Sequence, residues 1–424
     1  MICATRYIDW QTGVSRASEI NNAGTAVDMN SETLNELVVG GLQHARIRYL
    51  EFLEHCRSEN GEFRLTTASD SSPYATCFWI YGMHLLRQDA RLAELRDALA
   101  PSIRQAVRSA RAAGAAGGQL GAKPYRQLLA FSLSALSVLG ALADDPLEDL
   151  VVEQLPSSVE RELLAQGCLA GRAQSGNQAM FMAVFLLHAR DNLGLPVSGH
   201  VDEWVELHLA AMNRFGFWGS SRAMTTLQFQ NGYHQYEILE YLGVSGGKER
   251  AAAGAVARLA DGQGHFAPYP GGGGCFDYDA VFMLTPEGQM PDHAIAGLLG
   301  RTTATLLSEQ QEDGGFCESL YVRPRTLTNV LRNIRHVLDA LPNMPAALER
   351  SRYALALQRR RHDRIMTHWS AYSRRWDESD LWDSWFRMLA LARIECATDG
   401  QAAAHWGFID FPGIGFHPAL RGIG

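Results

Sequence analysis

Long apolar runs are missing from this chain of 424 residues. No stretch approaches the roughly 18 uninterrupted apolar residues that a membrane-spanning helix needs, so no transmembrane segment is expected. A surplus of positive charge is missing too: Lys plus Arg total 38 against 46 for Asp plus Glu, a formal net charge of -8. A protein whose main task is to coat nucleic acid or an anionic membrane has the opposite balance. Paired cysteines are absent. Cys3, Cys56, Cys77, Cys168, Cys275, Cys317 and Cys396 are scattered, odd in number and never form a CxxC pair, which fits reduced thiols and not a disulfide framework. Strand signals are sparse, with no β-branched alternation between turns and no βαβ rhythm. Residues 1–30 are polar and mixed, without the apolar core of a secretory signal peptide. They are expected to form a flexible leader on a cytoplasmic protein.

Apolar residues and glycine are what the chain has most of. Apolar residues make up 46% of it, enough for a large core or for two to three ordinary domains. The 40 glycines are unevenly placed, and their placement divides the chain. From Ser31 a helical pattern sets in, with Ser31-Glu32-Thr33-Leu34 offering an N-cap and an acidic first turn. A breaker at Asn60-Gly61-Glu62-Phe63 leads to a run from Pro73 to Leu86 that is apolar nearly all round, as in a helix buried on every side. This two-stroke unit recurs. Second strokes open near Pro73, Pro124, Asn177, Asn231, Asp277, Leu327 and Asp380, about 46 to 54 residues apart. The spacing predicts an all-α chain of helix pairs, either an open solenoid or a closed ring. The more apolar second helices, and glycine-aromatic loops gathered on one side of each repeat, favour a closed ring of six or seven hairpins. On this reading 31–398 is one domain, and the apolar, non-helical 399–424 docks on it as a lid or plug.

Glu309-Gln310-Gln311-Glu312-Asp313-Gly314-Gly315-Phe316 resembles the Q-x-x-x-G-G-F turn of the terpenoid cyclase and protein prenyltransferase superfamily. Asp261-Gly262-Gln263-Gly264-His265-Phe266, followed by Pro270 and Asp277-Tyr278-Asp279-Ala280, is similar to its next repeat. The resemblance implies the α/α toroid fold with a cavity at one end, and no activity by itself. The full D-x-D-D acid motif is absent; Asp277 and Asp279 supply two of its carboxylates.

In such a ring the first turns of the inner helices line the mouth of the cavity. Gln228-Phe229-Gln230-Asn231-Gly232-Tyr233-His234-Gln235-Tyr236-Glu237 gathers amides, phenols, an imidazole and a carboxylate at one such start. Asn231, His234 and Glu237 share a helix face. His234 suits general acid or base work, with Tyr233 or Tyr236 as partner and Gln230 and Asn231 as substrate contacts; packed aromatics and capping amides are the plain alternative. After Gly271-Gly272-Gly273-Gly274 come Cys275, Asp277 and Asp279. The two carboxylates can share a proton or hold Mg²⁺, and Asp277 can equally be an N-cap. Cys275, Asp277 and His234 together make a thiolate, carboxylate and imidazole set for Zn²⁺, a combination that the prenyltransferase resemblance also implies. Residues 368–385 hold four of the nine tryptophans, Trp382 among them; such faces suit carbocations or sugar rings, and so does Trp218 on its glycine-flanked turn. Arg332, with Arg323 and Arg325, is placed to clamp an anion. Asp144-Asp145-Pro146-Leu147-Glu148-Asp149 reads better as an acidic first turn than as a diphosphate motif.

Three functions follow. The first is a terpene cyclase-like or prenyltransferase-like enzyme, in which Asp277 or Asp279 protonates an apolar, isoprenoid-type substrate and His234 or Tyr233 removes a proton. The second is a carbohydrate-active enzyme, a polysaccharide lyase, epimerase or glycoside hydrolase working through Asn231, His234 and Tyr236. The third is a non-catalytic scaffold that binds protein. The first two predict a small-molecule partner, an apolar chain or a saccharide, and none predicts nucleic acid.

Overall fold

Local capping chemistry fixes where the apolar strokes begin. Pro73 opens the first of them from the first turn, where its missing N–H is no loss. The Thr225 and Asp380 side chains accept from the N–H groups of Gln228 and Asp383, three residues on. The computed structural model describes residues 31–422 apart from 221, 223, 287–290, 324, 360–363, 400 and 401; the expected leader lies outside the described residues.

The described residues form an all-α fold of 15 α-helices with almost no sheet. In chain order these are α1 (Ser31–His55), α2 (Pro73–Leu85), α3 (Asp89–Ala116), α4 (Lys123–Val138), α5 (Glu148–Val152), α6 (Val159–Gln166), α7 (Gly176–Asp191) and α8 (Ser198–Ala211). There follow α9 (Thr226–Leu242), α10 (Glu249–Ala257), α11 (Gly274–Leu284), α12 (His293–Glu309), α13 (Leu327–Asp339), α14 (Met344–Arg359) and α15 (Leu381–Thr398). Two antiparallel two-stranded pieces complete it: β1 (Phe316–Cys317) with β4 (Ser379–Asp380), and β2 (Arg364–Ile365) with β3 (Arg374–Arg375). No helix among the described residues is long and apolar enough to cross a membrane.

Six helices, α2, α4, α7, α9, α11 and α15, are buried along most of their length and form the core. Each packs on the next in chain order, and α15 packs back on α2. Aromatic side chains fill the space between α2, α4 and α15, where Phe78, Phe131, Trp382, Trp385 and Phe386 have ring centroids 4.3–6.5 Å apart. The expected stroke at Leu327 departs from this pattern. Its helix, α13, pairs with α14 outside the core and leaves its leucines exposed.

The segment after Thr398 packs across the C-terminal ends of the core helices. Gly407 donates to Leu85 O at 3.0 Å, His84 Nε2 meets Phe408 O at 3.0 Å, and Phe411 and Phe416 stack near His188 and Tyr241. Trp406, Phe408, Ile409 and Phe411 are buried there. The N-terminal ends of the core helices lie away from this segment, and the polar residues collect at them.

Candidate functional site

A directional chain of hydrogen bonds crosses three core helices. Lys123, the first residue of α4, donates from Nζ to Asn177 Oδ1 at 2.8 Å, which fixes the orientation of that amide. Asn177 Nδ2 then donates to His234 Nε2 at 2.6 Å. The ring proton therefore sits on Nδ1, which faces Glu237 Oε2 at 3.4 Å, one turn along α9. Burial, with Lys123 adding, pushes the His234 imidazole down to about 3, so it is neutral across the physiological range. Lys123, Asn177 and Cys275 are half-buried, while His234, Tyr233, Glu237 and Asp279 lie beneath them, buried.

Below His234 the polar groups are incompletely satisfied. The Tyr233 hydroxyl, Glu237 Oε1 and Asp279 Oδ1 are buried without a well-formed hydrogen bond, although the hydroxyl lies close enough to both carboxyls to lower them somewhat. Each such group costs about 1–3 kcal/mol, and a cluster of three is uncommon unless it serves a purpose. Burial raises the Glu237 carboxyl well above its ordinary range. Burial also raises Asp279, and the nearby Glu237 raises it further. Both shifts favour the protonated acids. Burial raises the Cys275 thiol too, followed by Asp279 and Glu318, so Cys275 stands as a thiol and not as a thiolate nucleophile.

The rim around Cys275 is polar and aromatic. Gln127 Oε1 accepts from His368 Nε2 at 2.7 Å and from Trp369 Nε1 at 3.4 Å. Glu318 accepts from Tyr269 Oη and, at 2.9 Å, from Arg374, which also pairs with Asp383 at 2.8 Å and with Asp380. Asp383 Oδ1 in turn accepts from Gly274 N at 3.0 Å, tying the start of α11 to α15.

Asp277 does not join this site. Its Oδ1 accepts from Phe266 N at 3.1 Å and its Oδ2 from His265 Nδ1 at 2.9 Å, with Arg387 3.7 Å away. His265 reaches on to Glu309 at 3.0 Å, and Arg387 joins Glu309 at 2.8 Å and Gly271 O at 2.8 Å. Burial opposes charge on His265, but Glu309 and Asp277 outweigh it and hold the imidazolium. The glycine run serves this network. At Gly272, with φ +70°, a Cβ would stand 2.3 Å from Asp277 Oδ2. Gly272 therefore lets the backbone close over the ion network, while Gly273 closes on Tyr269 and Glu318 and Gly274 on Asp383.

With Asp277 so engaged, the Cys275, Asp277 and His234 set does not assemble; among the described residues no group of three or more His, Cys, Asp or Glu is placed to hold a metal ion. Tyr236 turns away from His234 and donates to Gly216 O at 2.6 Å. Asn231 Oδ1 accepts from Gly176 N at 2.6 Å, joining α9 to α7. Trp218 is buried, donates to His208 O at 2.9 Å and packs on Tyr236. Trp382 lies in the aromatic core. Arg332 is exposed on α13, its guanidinium 4.0 Å from the Tyr321 ring centroid. Gln230 is half-buried near the start of α9. The acidic residues Asp144, Asp145 and Asp149 pair with Arg96, Arg104 and Arg108 on the outer surface.

His234, Tyr233, Asp279 and Cys275 thus come together, and Lys123, Asn177, Gln127, Glu318 and His368 join them without having stood out in the sequence. One signal was available: Lys123 and Asn177 occupy the opening turn of a buried helix, the same repeat position as Cys275. No family model, curated protein or solved structure matches the chain.

Proposed function

We propose that the six core helices form a closed α/α toroid, plugged at one end by residues 402–422, and that the chain is an acid–base enzyme working at the other end. The substrate class is a hydroxylated carboxylate of the uronate type, and the reaction begins with removal of the proton beside the carboxylate. The observation that carries this reading is His234, fixed between Asn177 and Glu237, with the Lys123 cation on one side and two buried acids on the other.

The roles follow from charge and protonation state. The Lys123 ammonium pairs with the substrate carboxylate and stabilises the negative charge that develops on it. His234 Nε2 takes the α-proton once substrate displaces the Asn177 amide, while Glu237 Oε2 faces the Nδ1 proton and keeps the ring oriented. Asp279 returns a proton, either to a leaving oxygen as the C–O bond breaks (a lyase) or to the opposite face of the carbon (an epimerase). Trp369, Gln127 and His368 offer the stacking face and hydrogen bonds that a sugar ring takes.

The test is proton exchange in D₂O with a panel of uronates, followed by NMR. Loss of the α-proton signal, diminished by about 10²–10⁴-fold in His234→Ala, supports the reading. No exchange with any uronate overturns it. The isoprenoid cyclase reading draws on the aromatic core, but those rings pack on one another. The cavity between Tyr81, Phe131, Trp385 and the C-terminal segment is about 20 Å³, room for about one water.

A further inference from the structure

The hairpin of α13 and α14 is built inside out. On α13 and the turn after it, Leu327, Leu331, Ile334, Leu338 and Leu341 recur at four- and three-residue spacing and are 50–77% exposed, while Asn329 and His336 are buried on the other face of the helix. On α14, Met344, Leu348 and Leu355 are exposed, while Glu349 and Arg350 are buried. The buried polar residues hold the hairpin on the body. Glu349 accepts from Thr226 N at 2.7 Å and Leu227 N at 3.0 Å, His336 meets Asp261 at 3.2 Å, and Arg350 donates to Leu259 O. Its orientation is therefore anchored, and the leucines face solvent because the polar side faces the protein. Nine of the thirteen exposed large apolar residues among those described lie between Leu327 and Leu355, so this is one continuous patch and not ordinary scatter.

The charge around the patch is as lopsided as its polarity. On the described hairpin Arg332, Arg335, Arg352 and Arg359 are exposed while Arg350 is buried, a basic surface in a chain of net -8. Arg352 and Arg359 stand on the same exposed face of α14 as Leu348 and Leu355, and Arg335 borders the leucines of α13. Of the two acidic residues of the described hairpin, Glu349 is buried in its capping role, which leaves Asp339. A second copy of the chain would bring arginine against arginine across such a face, whereas helical self-pairing normally matches opposite signs at these flanks.

We propose that the α13–α14 hairpin docks the protein on an anionic lipid bilayer surface, with the leucines entering the acyl boundary and Arg335, Arg352 and Arg359 meeting the headgroups. The acidic remainder of the chain is repelled by the same surface, which sets one orientation: hairpin down, body away.

The test is co-flotation of the full chain with vesicles of phosphatidylcholine alone and of phosphatidylcholine with phosphatidylserine. Binding about tenfold or more stronger to the anionic vesicles, weakening with salt, is expected. The double variant Leu331→Asp/Leu338→Asp should float with neither while keeping the melting temperature of the wild type, since both side chains are exposed. Arg335→Glu/Arg352→Glu should lose the preference for phosphatidylserine. A wild-type chain that binds neither vesicle overturns the proposal. So does a dimer in solution that the aspartate variants render monomeric, with no flotation by either form.

Discussion

His234 and His265 are both buried and both face carboxylates, yet they are held in opposite states. Around His265 all four oxygens of Asp277 and Glu309 have donors or a cation, and two positive groups, His265 and Arg387, balance two negative ones, with Arg387 Nε left unpaired. Around His234 one cation stands at the edge, the imidazole is neutral, and three buried polar atoms lack a well-formed hydrogen bond. A polar network with balanced charges and nearly every group paired rigidifies the elements it joins. An incompletely satisfied one carries a cost that the rest of the fold offsets, which is the pattern of a site prepared for something else to bind. The difference separates a structural ion cluster from a candidate site, although the residue types are the same.

The largest test of that contrast is Asp277→Ala. It leaves His265 and Arg387 with an excess of buried positive charge and should cost about 3–5 kcal/mol in urea unfolding; a loss under about 1 kcal/mol would break the comparison. Gly272→Ala comes next, since its Cβ would meet Asp277 Oδ2 at 2.3 Å from a φ of +70°, and it should cost about 1–3 kcal/mol. A pH series then separates the two histidines. The unfolded chain binds a proton at the ordinary histidine value of 6.5, whereas folded His234 does so only near 3, so stability falls as pH drops below 6.5, by about 1.4 kcal/mol per unit at most. For His265 the folded value is raised; its contribution is complete below 6.5 and is lost as pH climbs through that raised value. His234→Gln should flatten the acid limb of a melting-temperature profile, and His265→Gln the alkaline limb. If His234→Gln leaves the acid limb unchanged, His234 is not held neutral. The smallest effects distinguish two tyrosines. Tyr236→Phe loses its bond to Gly216 O and should cost about 1 kcal/mol; Tyr233→Phe deletes a hydroxyl that makes no well-formed hydrogen bond and should cost less than that.

The helical rhythm was legible because burial leaves a mark on every turn of a helix. The expected starts at Pro73, Pro124, Asn177, Asp277 and Asp380 fall within three residues of observed ones. Asn231 missed by five, because the cap at Thr225 is set by one side-chain hydrogen bond inside a polar stretch. Leu327 opens a helix as expected, but the leucine period that marks a core helix marks equally well a helix whose apolar face has no protein over it. Within the site, His234 was legible because it shares a helix with its polar neighbours. Lys123 and Asn177 were not: each is a single residue on its own helix, joined to His234 only in space. Asp277 faces away from His234 because its partners are His265 on the preceding turn and Arg387 far along the chain, a pairing that appears only in space.

The packing of α15 on α2 has a consequence for the order of events in synthesis. Leu381 donates to Leu65 O at 2.8 Å, and the last helix supplies a flank that α2 lacks until then. A nascent chain that has emerged only as far as α11 holds Phe78 and Tyr81 without the tryptophans that will cover them. Such long-range closure predicts slow folding and a window in which the first helices expose apolar surface.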